Sequence, residues 1–155
     1  MNKNLMALLN TISVSEGTFG IGDNGYNVLV GGGYFEGYHH HPNKRIFIKR
    51  INDYSTAAGR YQILFRYWEE YVVQLELEDC EKYPDGAFGK AAQDAIAIQM
   101  IKECKAFGSI IDGKFSEALG KCKSRWASLP GAVQHVHTTV AGLQEHYIKF
   151  GGTIA

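Results

Sequence analysis

The sequence predicts an α+β fold, a mainly helical domain with one small glycine-rich β-region inserted near its start. Three observations carry that prediction. Apolar residues recur at helical spacing toward both ends of the chain. Between Gly17 and Gly37 lie eight of the 18 glycines, and from Gly20 onward the helical period is gone. Two apolar, β-branched runs, Val28-Leu29-Val30 and Ile46-Phe47-Ile48, supply strand candidates in or just beyond the glycine stretch. The chain of 155 residues fits one domain, 1–155, with the β-lobe inserted at approximately 20–54.

Each element follows from local pattern. Leu5, Leu8, Leu9 and Ile12 follow the i, i+3, i+4, i+7 rule, so residues 3 to about 16 form an amphipathic helix that Gly17 ends as a left-handed cap. Val28 to Val30 makes a short strand running into the tight turn Gly31-Gly32-Gly33, and Ile46 to Ile48 a second. Ser55 and Thr56 are N-cap candidates for a helix from about Ala57 to Leu75, with Ile63, Tyr67, Trp68 and Tyr71 on its apolar side. Leu77 to Gly89, acidic and punctuated by Pro84-Asp85-Gly86, reads as a surface connection. Ala91 to Lys105 is helical, with Ala92, Ile96, Ile98 and Ile101 on a broad buried face. Phe115 to Lys123 makes a shorter helix, Leu129-Pro130-Gly131 breaks the chain, and a final helix passes through Val140, Leu143, Tyr147 and Phe150.

Composition excludes several classes. Glycine makes up about 12 per cent of the chain against roughly 7 per cent on average, yet 45% hydrophobic content supports a core and argues against disorder. Sixteen basic residues balance sixteen acidic ones, so no large field directs the chain to nucleic acid. No run of 18 apolar residues could span a bilayer, and the Asn2-Lys3-Asn4 start lacks the pattern of a signal peptide. A chain kept in a cytoplasm is expected. Cys80, Cys104 and Cys122 fit neither a disulfide framework nor paired zinc ligands, and read as reduced. His39-His40-His41 would point to alternate faces of a strand, whereas a metal needs convergent ligands, so a solvated loop is expected there.

One carboxylate stands out by position. Glu16 sits at the C-terminal lip of the first helix, at the negative end of the macrodipole. Cover from an adjoining β-region would add desolvation, and both influences favour the protonated acid. Such a group can donate a proton at neutral pH, which glycosidic cleavage needs as the leaving oxygen departs.

Four ordered blocks then carry a resemblance: Ser15-Glu16-Gly17-Thr18, Gly25 to Gly32, Ser55 to Leu64, and Trp126-Ala127-Ser128-Leu129-Pro130-Gly131. Together, with weaker similarity at Gln93-Asp94-Ala95 and Gly151-Gly152-Thr153, they resemble the bacteriophage lambda endolysin family over nearly the whole chain. The resemblance implies a lysozyme-like fold with a small β-hairpin lobe, a helical lobe and a peptidoglycan cleft between them. It implies a lytic transglycosylase that cuts the β-1,4 bond between N-acetylmuramic acid and N-acetylglucosamine without water, leaving a 1,6-anhydro sugar. Glu16 holds the place of the single acid and base. Ser15, Tyr26, Val30, Gly31, Gly32, Tyr61, Gln62 and Gln134 are the implied substrate contacts, while Arg60 holds its loop and Trp126 belongs to the core. No metal or other cofactor is implied. The expected partner is the glycan strand, met by a monomer that leaves the host cytoplasm through a holin for the wall in the periplasm.

The chain departs from the family in three places. Asn24 stands where a histidine precedes the Gly-Tyr of the β-region, a Tyr-Gly-Gln after Gly131 is shortened so that Gln134 is its counterpart, and the Leu77 to Gly89 connection is longer. Two other readings stay open at this stage. A hydrolysing muramidase would use a second carboxylate, for which Asp23, Glu36 and Asp53 are the nearby candidates. A lysozyme-like module that binds peptidoglycan without cutting it is the third.

Overall fold

The first helix starts where the Asn2 side chain accepts the N–H groups of Asn4 and Leu5, at 2.8 and 3.3 Å. In the computed structural model, which describes residues 1–131 and 139–155, this helix is α1, Lys3–Glu16. It buries Leu5, Leu8, Leu9 and Ile12 as the spacing predicts. Gly17 caps it at φ 76°, and nothing lies within 4 Å of where its Cβ would stand, so backbone conformation rather than space calls for glycine. After α1 come β1 (Ile46–Ile48), a 3-10 turn (Lys49–Ile51), β2 (Asp53–Ser55), α2 (Phe65–Gln74), α3 (Lys90–Glu103), α4 (Phe107–Ile111), α5 (Phe115–Cys122) and α6 (Val140–Lys149).

The chain separates into two compact units, one of Met1–Gly17 with Ala97–Ala155 and one of Thr18–Ile96. In the first unit α1 packs on α4 and α6, and α5 on α4 and α6. Phe115 and Tyr147 stack there with ring centroids 4.5 Å apart. Asn4, buried, joins distant segments: its Oδ1 accepts from Thr153 N at 3.0 Å and Thr153 Oγ1 at 3.1 Å, and its Nδ2 donates to the Ile111 carbonyl at 3.4 Å.

In the second unit β1 and β2 form an antiparallel hairpin that pairs Ile46 with Ser55, Phe47 with Tyr54 and Ile48 with Asp53. The core of this unit is aromatic. Trp68 Nε1 donates to the Ala87 carbonyl at 2.9 Å, and His41 lies 4.8 Å from the Phe88 ring. His41 thus departs from the solvated loop expected of the histidine run. It is buried, its Nδ1 accepts from Asn43 N–H at 2.9 Å, and Nε2 meets the Ile63 carbonyl at 2.7 Å. Burial lowers its pKa to about 4, which leaves the ring neutral.

Several boundaries differ from expectation for local reasons. Val28 and Leu29 pair only singly, with Tyr34 and Ala58, because positive φ at Gly31 and Gly32 turns the chain away before a ladder can grow. Ser55 ends β2, and α2 begins at Phe65 instead of Ala57. The intervening residues hold Gly59 at φ 81° and Gln62 at φ 51°, which no helix accommodates. The N-cap of α2 is Leu64, without a side-chain cap bond, and Thr56 Oγ1 instead accepts the Phe65 N–H at 3.0 Å from nine residues away. The connection from Leu77 to Gly89 contributes Leu77, Ala87 and Phe88 to the core. Cys80, Cys104 and Cys122 are free thiols.

Candidate active site

Glu16 is the last residue of α1, and the left-handed turn at Gly17 takes the backbone off at once, so its side chain sits on the helix rim. A second segment of the same unit comes to meet it. After α5, Trp126 N–H returns to the Cys122 carbonyl at 3.2 Å and Leu129 N–H to the Trp126 carbonyl at 3.1 Å. Trp126 and Leu129 are both buried, Trp126 as expected, and together they anchor the turn that carries Ser128. Ser128 Oγ donates to Glu16 Oε1 at 3.1 Å. Ser15 Oγ lies 2.9 Å from Ser128 Oγ and 3.1 Å from the Ser128 carbonyl. The Ser15 hydroxyl, expected as a sugar contact, thus donates to Ser128.

Two influences set the Glu16 acid. Desolvation is the larger and raises the carboxyl pKa from 4.5 to about 7, while the Ser128 hydrogen bond, which favours the carboxylate, lowers it. The residue is only half-buried, so part of it stays open to a ligand. The result is a group that holds a proton at neutral pH and can still release it.

The second unit carries Tyr26, Val30, Gly31, Gly32, Tyr61 and Gln62 of the predicted contacts. Gly59 turns the chain so that Arg60 N–H meets Gln93 Oε1 at 2.9 Å, and the Gln93 amide donates to the carbonyls of Tyr26 and Phe88 at 3.0 and 2.8 Å. Gln62 Nε2 donates to the Gly59 carbonyl at 2.9 Å and to Val28 at 3.3 Å. Its Oε1 is left as an acceptor on a half-buried side chain, a group suited to a sugar amide or hydroxyl. Tyr61 departs from the reading as a sugar platform: its ring is wholly enclosed, and its hydroxyl donates to Asp94 Oδ1 at 2.6 Å. Burial raises the Tyr61 pKa well above its ordinary value, which keeps the hydroxyl a donor. Tyr26 is also largely buried, reaches the same Asp94 oxygen at 2.8 Å, and meets Tyr61 edge to face. Arg60, buried, lies over both rings and donates to Tyr61 Oη at 3.3 Å, in keeping with a loop-holding role.

Val30 is half-buried, with its N–H on the Ala57 carbonyl, and Gly31 and Gly32 are exposed, so this turn offers open backbone. Gln134 lies outside the described residues. Asp23, a candidate second carboxylate, accepts from Tyr38 at 2.6 Å and Lys90 at 2.9 Å; these bonds hold it below the ordinary carboxylate range. Asp53 and Glu36 are exposed. Ser128, Asp94 and Gln93 were present in the sequence blocks, but their roles come from partners 112, 33 and 33 residues away.

A family model for Endolysin matches residues 6–154. The chain belongs to the endolysin family. This endolysin is 40% identical over 136 residues to the endolysin of Escherichia phage lambda, with 85% of this chain and 80% of the relative covered. To the endolysin of Escherichia phage P2 it is 37% identical over 144 residues, with 84% and 82% covered. Its structure is similar to that of bacteriophage lambda lysozyme complexed with a chitohexasaccharide, at TM-score 0.90 and 36% identity over 100% of this chain and 98% of that one. A second structure of lysozyme from bacteriophage lambda gives TM-score 0.86 at 34% identity, with the same coverage. The fold is the lysozyme-like α+β fold, and this endolysin is a lysozyme-type enzyme acting on peptidoglycan.

Proposed function

We propose that this endolysin is a lytic transglycosylase that cleaves the β-1,4 bond between N-acetylmuramic acid and N-acetylglucosamine, with Glu16 as the only acid and base. The observation that carries this reading is the Glu16 carboxyl itself, protonated up to about pH 7 and partly open. It gives its proton to the leaving glycosidic oxygen as the anomeric carbon gains positive character. The muramyl 6-hydroxyl then attacks that carbon and passes its proton to the Glu16 carboxylate. One carboxyl group completes the cycle and no water is consumed. Asp23, one of the candidate second carboxylates, is engaged by Tyr38 and Lys90.

The glycan strand as ligand is supported by the chitohexasaccharide bound to the similar lambda lysozyme. Gln62 and the open backbone at Val30, Gly31 and Gly32 are the contacts proposed for it in the second unit. The enzyme acts as a monomer, accumulates in the host cytoplasm and reaches the wall after a holin opens the inner membrane. Among the described residues no helix is long and apolar enough to cross a membrane.

Mass spectrometry of the cleaved sugar ends tests the mechanism. Anhydro-muramic ends, lighter by one water, are expected; reducing muramic ends alone would establish a hydrolase instead. Binding of murein without any cleavage would leave only a binding module.

A further inference from the structure

A hydroxyl group has a single hydrogen to give and two lone pairs with which to accept. Ser15 Oγ gives its hydrogen to Ser128, whose Oγ and carbonyl oxygen are 2.9 and 3.1 Å away. Ser128 Oγ in turn donates to Glu16 Oε1 at 3.1 Å. Ser15, Ser128 and Glu16 thus form one hydrogen-bonded chain in which Ser128 Oγ donates to the carboxyl. All three groups belong to one compact unit, and the turn bearing Ser128 is anchored by the buried Trp126 and Leu129.

We propose that Ser128 is a positioning residue that reserves Oε1 of Glu16 as an acceptor, so that the transferable proton sits on Oε2. This rests on the reading of Glu16 as the acid. A proton on Oε1 would face the hydrogen that Ser128 already directs there, so the neutral carboxyl carries it on the other oxygen. When that proton leaves, the bond from Ser128 becomes a charge-assisted one and strengthens. It stabilises the state that follows proton transfer more than the state before it, which is the condition for speeding a step. Ser15 acts one step further out by orienting Ser128. The two influences on the carboxyl then divide the work: burial keeps the proton on at neutral pH, and Ser128 keeps the acid from holding it too tightly.

The test uses Ser128→Ala and Ser128→Thr in the full chain, with two readouts. Carbon-13 NMR follows the titration of the Glu16 carboxyl, and the pH profile of murein cleavage follows kcat and KM. In Ser128→Ala the Glu16 midpoint is expected to move up from about 7, because the bond that favours the carboxylate is gone. The alkaline limb of the rate profile should move the same way, with kcat lower by roughly tenfold and KM little changed. Ser128→Thr keeps a hydroxyl and should restore both. A midpoint in Ser128→Ala that stays at the native position overturns the proposal, whatever the rate does, and leaves Glu16 as the acid. Glu16→Gln is the separate control. Cleavage by that variant at the native rate would remove the acid assignment, and with it the proposed role of Ser128.

Discussion

Glu16 binds its proton more tightly in the folded chain than in the unfolded one, and that difference has a sign and a size. A carboxyl raised from 4.5 to about 7 contributes stability that is fully present below pH 4.5 and is lost as pH rises through 7. The loss approaches about 3 kcal/mol, from roughly 1.4 kcal/mol per pH unit. Glu16→Gln removes the titrating group, so the variant should lose cleavage of the wall and yet gain up to about 3 kcal/mol at pH 8. Urea unfolding at pH 5 and pH 8 checks this: the gain should be present at the higher pH and nearly absent at the lower. Glu16 was legible in the sequence because a Glu-Gly pair at the end of an amphipathic stretch places a carboxyl on a helix rim. Ser128 was not, since a serine in a turn looks like any other until its partner, 112 residues away, is known.

The segment from Ser55 to Leu64 shows how a pattern can be right and its element wrong. Ser55-Thr56 reads as a cap, but the helix starts only at Phe65, whose N–H Thr56 Oγ1 accepts from a distance, because the chain first makes a turn at Gly59 and bridges Ala58 to Leu29 and Ile63. Helical period cannot report such a turn, which depends on Gln93 arriving from α3. Gly59 has a demanding environment: a Cβ there would stand 2.3 Å from Gln93 Oε1 and 3.0 Å from Phe88, at φ 81°. Gly59→Ala should therefore lower stability by about 2–4 kcal/mol, combining the left-handed strain with loss of the Arg60 to Gln93 hydrogen bond. A thermal melt reads this directly, and a change under 1 kcal/mol would show that the turn relaxes freely. By contrast α1 and the Ile46–Ile48 strand were legible, since neither depends on a distant partner for its shape.

At the scale of the molecule, the pH response combines groups of opposite sign. His41 is held at about 4 against an ordinary 6.5, so its contribution is present above pH 6.5 and is lost as pH falls through 4. Between about pH 4.5 and 6.5, rising pH regains stability at His41 and loses it at Glu16, each at roughly 1.4 kcal/mol per pH unit. The two slopes oppose one another, and the native Tm should be nearly level across that window. Glu16→Gln exposes the His41 slope, so the Tm of that variant should drop as pH is lowered from 6.5 toward 4.5. A variant as level as the native protein would show that His41 binds its proton equally in the folded and the unfolded chain.

The discontinuity of the first unit has a consequence for synthesis. Residues Thr18–Ile96 are contiguous and can close their core while the ribosome is still extending the chain. Helix α1 is translated before them but has to wait, because Asn4 finds its partner in Thr153 and Glu16 finds its partner in Ser128. Until that later stretch emerges, Ser128 is not there to bond the carboxyl. The carboxyl proposed as the acid is thus among the first parts to be made and among the last to meet its partner.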